Sequence, residues 1–520
     1  MKKFNILLAM LMLLAVTSVD AQRYLKPTFS SVKVTRAAYG QNFTVLLVPS
    51  TGKMYKQPLG MDVYTPVGDT ETKRPLMIYL HTGNFLPTPQ NNSPSGTFYD
   101  STAVEICTRY AKMGYVVASA DYRTGWNPVD TVQEKRISGL INAAYRGVQD
   151  ARTCVRFFKE KGAAFGVDTT KIMMIGQGTG GYITLACASL DKYSEIITTT
   201  APAKKFIGSS GLPYVIEKTQ IGMTTPPTLF YINSDVEGKN LGLVPPQAVP
   251  TIPKALDTLC LPNWVNHSSD INFAVNIGGA VGDISWIDAK TPPIVSFQCP
   301  YDPFAPYKDA VLFVPVTPPL PVVQVQGSYE VSKKLNALGT NDIFKKIKKE
   351  DPYAATANKR NDGYEGLCPL YGNSVYDSSP WDFWATTNPN AANGLKTNPN
   401  MSKAKAGGYI DTIVGYSAPR ACIALKLPCA NIVATDDLTD ADVSLTVAPN
   451  PATTTIRFTA DAKSTIKELY IYDINGRVVR LEANINSNEY TLNRQSLTAG
   501  MYFVQLRFEN GFLTKRVIFE

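Results

Sequence analysis

Several stretches of this chain are apolar without alternation. They are Pro75 to Leu80, Tyr115 to Ala120, Lys171 to Ile175 and Pro293 to Phe297. A strand that is apolar on both sides has no face to give to water, so its sheet must be covered on both faces. Helical spacing lies between these runs. Leu140 to Lys161 sets Val148, Cys154, Val155 and Phe158 on one side, and Tyr182 to Leu190 reads as a second helix. Strands separated by helices predict a mostly parallel α/β sheet with helices on both faces.

From Val443 onward the pattern changes. Short alternating runs (443–447, 455–459, 468–472, 502–506 and 514–518) are separated by turn signals at Pro449-Asn450-Pro451, Asn475-Gly476, Ala499-Gly500 and Asn510-Gly511. Alternation with such punctuation predicts a small all-β sandwich of antiparallel strands. A length of 520 residues fits two folded units, and 44% hydrophobic against 18% charged residues excludes disorder.

The N-terminus reads as a secretory signal over residues 1–21. Lys2 and Lys3 precede the apolar run Ile6 to Val16, which is too short to span a bilayer, and Val19-Asp20-Ala21 offers a cleavage site. No Cys follows the run to suggest a lipid anchor, and no later segment reads as a transmembrane helix. The net charge of +8 is spread along the chain with no nucleic-acid-binding signature, so nucleic acid is not an expected partner. The expected plan is a signal at 1–21, an α/β domain at 22–430 with an insertion at about 351–407, a linker at 431–441 and the sandwich at 442–520.

Chemistry is bounded by histidine. The chain has two, His81 and His267, so an imidazole base must be one of these. The eight cysteines form no CxxC pair, and neither a metal site nor a cofactor is expected. An exported chain permits disulfides, and Cys422 and Cys429 are near enough in sequence to close a small loop.

The strand ending at Ile175 enters Gly176-Gln177-Gly178-Thr179-Gly180-Gly181 and then a helix. Earlier strands end at His81-Thr82-Gly83-Asn84-Phe85 and at Asp121-Tyr122-Arg123, and a later one precedes Asp302. In this order the landmarks resemble an α/β-hydrolase of the carboxylesterase type. The resemblance implies an oxyanion loop at His81, Thr82 and Gly83, helped by the Thr179 amide. It further implies a nucleophile elbow at Gly178 and a triad acid at Asp302. Two departures matter. The apex is Gly178, which has no side chain to attack a carbonyl, and no histidine follows Asp302 to act as base. The reading is a degenerate, non-catalytic member of the fold acting as a binding or structural component. The alternative is an active carboxylic ester hydrolase with Thr179 as nucleophile, Asp302 and a repositioned His267.

Other patterns in the chain point less far. Gly176, Gly178 and Gly181 fit G-x-G-x-x-G, but late in the sheet of an exported chain, while Tyr182 stands where a phosphate loop needs Lys. Asp283 and Asp288 flank Trp286 and read as solvated loop acids rather than a glycosidase pair. The run Phe344 to Lys349 reads as a solvated basic helix face. Trp381, Phe383 and Trp384, with Tyr371 and Tyr376 upstream, lie in a loop-rich stretch; they cap the core or form a face for a polymer, carbohydrate or protein ligand.

The last segment resembles the type A C-terminal sorting domain of the type IX secretion system. The resemblance rests on Pro449-Asn450-Pro451, Tyr472-Asp473-Ile474-Asn475-Gly476-Arg477-Val478-Val479, Leu497-Thr498-Ala499-Gly500-Met501-Tyr502 and a terminal strand with Lys515. It implies that residues 442–520 engage the secretion machinery and that the protein passes the periplasm and outer membrane to the cell surface or medium.

Overall fold

The computed structural model describes residues 23–51, 54–217, 232–233, 235–244, 257–314, 316–347, 351–372, 376–429, 436–508 and 511–520. The signal expected at 1–21 lies outside them. The chain divides into two units between Ala430 and Asn431.

The first unit is built on an eight-stranded sheet. Its strands are β1 (Val32–Thr44), β2 (Tyr55–Pro66), β3 (Arg74–Leu80), β4 (Val116–Ala120), β5 (Val167–Gln177), β6 (Phe273–Ile277), β7 (Ile294–Gln298) and, late in the unit, β10 (Leu367–Pro369). The order is β1-β2-β4-β3-β5-β6-β7-β10. Strand β2 runs antiparallel to β1 and β4, and every other pair is parallel. The apolar runs become the buried middle of this sheet: Leu76 to Leu80, Val116 to Ala118 and Ile172 to Ile175 are all buried.

The main helices are α1 (Ser101–Lys112), α2 (Gln133–Lys161) and α3 (Thr179–Ser189). A hairpin of β8 (Asp309–Val314) and β9 (Leu320–Gln326) follows β7, then α4 (Ser328–Ala337), β10 (Leu367–Pro369) and α5 (Lys403–Ala424). Helices α1 and α5 meet through Tyr110 Oη and Ser417 Oγ at 2.7 Å. Gly147 of α2 lets Ile183 of α3 come close, since a β-carbon there would lie 2.7 Å from Ile183 Cδ1. Cys422 and Cys429 form a disulfide at the end of α5, and the other six cysteines are free thiols.

Two expectations are corrected. The stretch read as an insertion, 351–407, contains β10, which pairs with β7 and completes the sheet. A three-residue strand among Gly, Asn and Pro carries no periodic signal. Helix α3 starts at Thr179 rather than Tyr182, directly out of the turn.

The second unit holds β11 (Thr446–Ala448), β12 (Thr455–Thr459), β13 (Glu468–Tyr472), β14 (Val478–Glu482), β15 (Glu489–Asn493), β16 (Gly500–Arg507) and β17 (Gly511–Phe519). One sheet runs β11-β12-β15, and the other contains β17-β16-β13-β14. Alternation sends Ile456, Phe458, Leu469, Ile471, Leu492, Val504, Leu506 and Val517 into one core. Part of the expected linker belongs here, because Asp436 and Asp437 pair with Gly511 and Phe512. Val443, read as the start of a strand, ends the helical turn Asp440–Val443, which Thr439 and Asp442 cap.

Candidate functional site

Strand β5 lies between β3 and β6, so the turn that follows it opens at the C-terminal edge of the sheet, where sites of open α/β folds form. Gly178 sits there at φ 54° and ψ −116°, a region open to glycine and strained for other residues. The Gly178 amide donates to Ile277 O at 2.8 Å. The neighbouring glycines serve close packing. A β-carbon at Gly176 would lie 1.9 Å from Gly180 O, and one at Gly180 would lie 2.1 Å from Leu80 O. A β-carbon at Gly181 would lie 2.4 Å from Asn276 Oδ1, so close packing at Gly176 and Gly181 and the positive φ of Gly178 account for the G-x-G-x-x-G spacing.

The apex is filled from across the cleft. A β-carbon on Gly178 would stand 2.3 Å from Thr82 Oγ1 and 3.1 Å from Thr82 Cβ. Thr82, expected to contribute only to the oxyanion loop, thus projects its side chain where a nucleophile's would begin. Next to it, Gly83 takes φ 137° and accepts from the Leu86 amide at 2.9 Å.

His81 is buried and committed elsewhere. Its Nδ1 lies 2.5 Å from Thr82 O and its Nε2 3.1 Å from Asp121 Oδ1, and its ring stacks on Tyr122 at 4.5 Å. Both partners are acceptors, so the ring satisfies both only when each nitrogen carries a proton. Burial works against that charge, but the hydrogen bond and charge of Asp121 outweigh it and hold the pKa above the ordinary histidine range. His267 is bound to Glu160 Oε2 at 2.6 Å, near the C-terminal end of α2. The Thr179 hydroxyl meets Tyr122 Oη at 2.9 Å, and Tyr122 donates to His81 O at 2.8 Å. Thr179, Asp302 and His267 are therefore not assembled into a triad.

Asp302 Oδ1 accepts from the amides of Phe304 (2.8 Å) and Ala305 (3.2 Å). Beside it stands an indole. A β-carbon at Gly278 would lie 3.3 Å from the Trp381 ring and 3.7 Å from Asp302 Oδ2, so the two groups close on one point. Burial pushes the Asp302 carboxyl up to about 7, against the hydrogen bonds from the two amides. The native state therefore holds this proton more tightly than the unfolded chain. The group is tolerated fully below the unfolded pKa and costs stability as pH rises through 7. Asp302→Asn keeps an acceptor for both amides. It should raise stability by about 2–4 kcal/mol at about pH 8 and by nothing at about pH 4, read as melting temperatures against the parent.

The aromatic stretch is not a surface face. Trp381 is 1% exposed, while Phe383 and Trp384 are half-buried. Trp384 packs on Gly394. Between them Asp382, which the sequence did not single out, accepts from Ser95 Oγ and Thr102 Oγ1 at 2.6 Å each and so pins this segment to the start of α1. Burial raises its carboxyl to about 6. Tyr371 and Tyr376 remain exposed.

Asp283 is likewise not a solvated loop acid. It is fully buried, pairs with Lys205 Nζ at 3.0 Å and accepts from the Ser285 amide. Asp288 accepts from the Lys290 amide at 2.8 Å in a turn. In the basic run Phe344 is buried and Lys345 pairs with Asp342, while 348–349 lie outside the described residues. Among the described residues, no cluster of His, Cys, Asp and Glu is placed to hold a metal ion.

Thr82, Gly178, Thr179, Asp302 and Trp381 all line one cavity of about 720 Å³. Its other walls come from α2, α3 and the β8–β9 hairpin. The sequence offered no sign of this hairpin's role, because its apolar alternation resembles that of any half-buried strand pair.

Residues 61–210 match the family described as BD-FAE, and residues 446–520 match the secretion system C-terminal sorting domain. Residues 61–210 thus carry an esterase-like α/β-hydrolase domain and residues 446–520 a type IX sorting domain. The sorting domain directs export to the cell surface or medium. No helix among the described residues is long and apolar enough to cross a membrane. No curated protein matches the chain. Among solved structures, native esterase 2 of Thermogutta terrifontis is similar at 13% identity and a TM-score of 0.31, over 75% of this chain and 94% of that one. Its propionate-bound form gives 13% and 0.31 over 71% and 92%. The form phosphorylated by paraoxon gives 16% and 0.26 over 54% and 74%.

Proposed function

We propose that the esterase-like domain of this exported chain is non-catalytic and serves as a binding component at the cell surface or in the medium. The observation that carries this reading is the elbow itself: Gly178 has no nucleophile, and Thr82 lies across the position one would occupy. The two histidines support it, since His81 is held by Asp121 and Thr82 O, and His267 by Glu160. Loss of nucleophile or base lowers triad turnover by roughly a millionfold.

The test is the purified full chain on short-chain aryl esters. Hydrolysis should be no faster than in a heat-denatured control. Turnover that Asp302→Ala abolishes would instead establish the alternative, an active carboxylic ester hydrolase with a non-standard nucleophile.

A further inference from the structure

We infer that the cavity beside the elbow holds a ligand bearing a long hydrocarbon chain. This inference rests on the binding reading above and names the chemistry of what is bound. The volume of about 720 Å³ is that of a site for a sizeable small molecule. Its depth is apolar: Leu140 and Val148 come from α2, Phe206 and Trp286 from the segments beyond α3, and Val323 and Val325 from β9. These side chains are themselves almost fully buried, so the wall is packed into the core and does not depend on a ligand for its shape.

Most polar side chains of the wall are engaged, the buried indole N–H of Trp381 being the exception. Gln177 accepts from Tyr79 Oη at 2.6 Å, Thr179 meets Tyr122, and Asp382 accepts from Ser95 and Thr102. Asn91 donates to Ser95 O at 2.8 Å. A sugar would bring hydroxyls into such a site and leave them without partners, at the full cost of desolvation. A hydrocarbon chain loses nothing there and gains the burial of each methylene.

One side of the entrance agrees with the interior. Val129, Phe313 and Val316 line the cavity and are also exposed to solvent, so apolar surface reaches from outside to inside there, while exposed Asn84, Gln90, Asn92, Asn393 and Lys396 make the rest of the rim polar. Phe313 and Val316 belong to the β8–β9 hairpin, whose Leu312 and Val314 turn inward to the same cavity. An apolar side that leads into an apolar chamber, with polar residues on the remaining rim, suits a hydrocarbon chain that enters with a polar end left near the mouth.

The test uses the full chain with methyl palmitate and, separately, cellobiose, followed by calorimetry and recovery of the probe. Methyl palmitate should bind saturably, one per chain, and be recovered intact, while cellobiose should not bind. Leu312→Trp, which narrows the chamber, should weaken methyl palmitate at least about tenfold, the equivalent of losing contact with two methylenes. If Leu312→Trp lowers the melting temperature, Phe313→Ser at the exposed rim replaces it and should weaken binding in the same direction. Cellobiose binding in place of methyl palmitate would overturn the inference. Absence of both binding and hydrolysis would also overturn it, and would leave the non-catalytic reading standing. Methyl palmitate bound and recovered as methanol and palmitate would support the ligand class and defeat the non-catalytic reading.

Discussion

Gly178→Ser leaves the protein without esterase turnover and makes it less stable. Restoring the missing hydroxyl fails for two separate reasons. The first is chemical: no imidazole stands near Asp302, so the new hydroxyl has no base and stays roughly a millionfold below triad rates. The second is steric. The new β-carbon would meet Thr82 Oγ1 at 2.3 Å, at a backbone geometry that favours glycine. Such strain costs about 1–3 kcal/mol, and overpacking a further 1–3 kcal/mol or so. Adding Thr82→Gly should relieve the overpacking and leave both the strain and the inactivity. The measurements are aryl ester hydrolysis and thermal melts of the single and double variants. Efficient hydrolysis by Gly178→Ser alone would show that a base has been overlooked and would sink the non-catalytic reading.

Asp150→Ala destabilises the esterase-like domain by about 3–5 kcal/mol, because it strands a buried cation. Arg123 and Asp150 are both almost wholly removed from solvent. Arg123 Nε donates to Asp150 Oδ2 at 2.8 Å, and the Arg123 amide donates to the same oxygen at 2.9 Å. Arg123 Nη1 donates to Leu259 O and Cys260 Sγ and Nη2 to Gln149 Oε1, so the side chain cannot swing out to water without breaking those contacts. Arg123→Met with Asp150→Leu removes both charges together and should recover most of the loss, since desolvation offsets much of what a buried pair contributes. Denaturant midpoints of the single and double variants decide the matter. A single variant within about 0.5 kcal/mol of the parent would mean that the pair is not buried as described.

The distribution of what could be read from the chain follows the range of the interactions. Periodicity is local, so the buried β3, β4, β5 and β7 and most strands of the sandwich were legible from their apolar patterns. Strand β10 was not, because its three residues carry no period and it is defined only by pairing with β7. Strand β6 and the β8–β9 hairpin are not among the strands expected from the sequence. The aromatic stretch leaves two readings open in the sequence, a cap on the core or a binding face; Trp381 is buried and Asp382 ties it to residues near α1, contacts that its loop-like composition does not encode.

By itself the sequence determined the fold class, the two-part pattern of the chain and the residue at the turn after β5. A glycine at an elbow apex and two histidines in 520 residues are facts of composition and order, independent of coordinates. Only the tertiary structure decided that Thr82 lies across Gly178, that an indole stands beside Asp302, and that both histidines are held elsewhere. It alone placed an apolar chamber behind the turn. These are contacts between residues far apart along the chain, and hydrophobic pattern carries no information about which distant side chains meet.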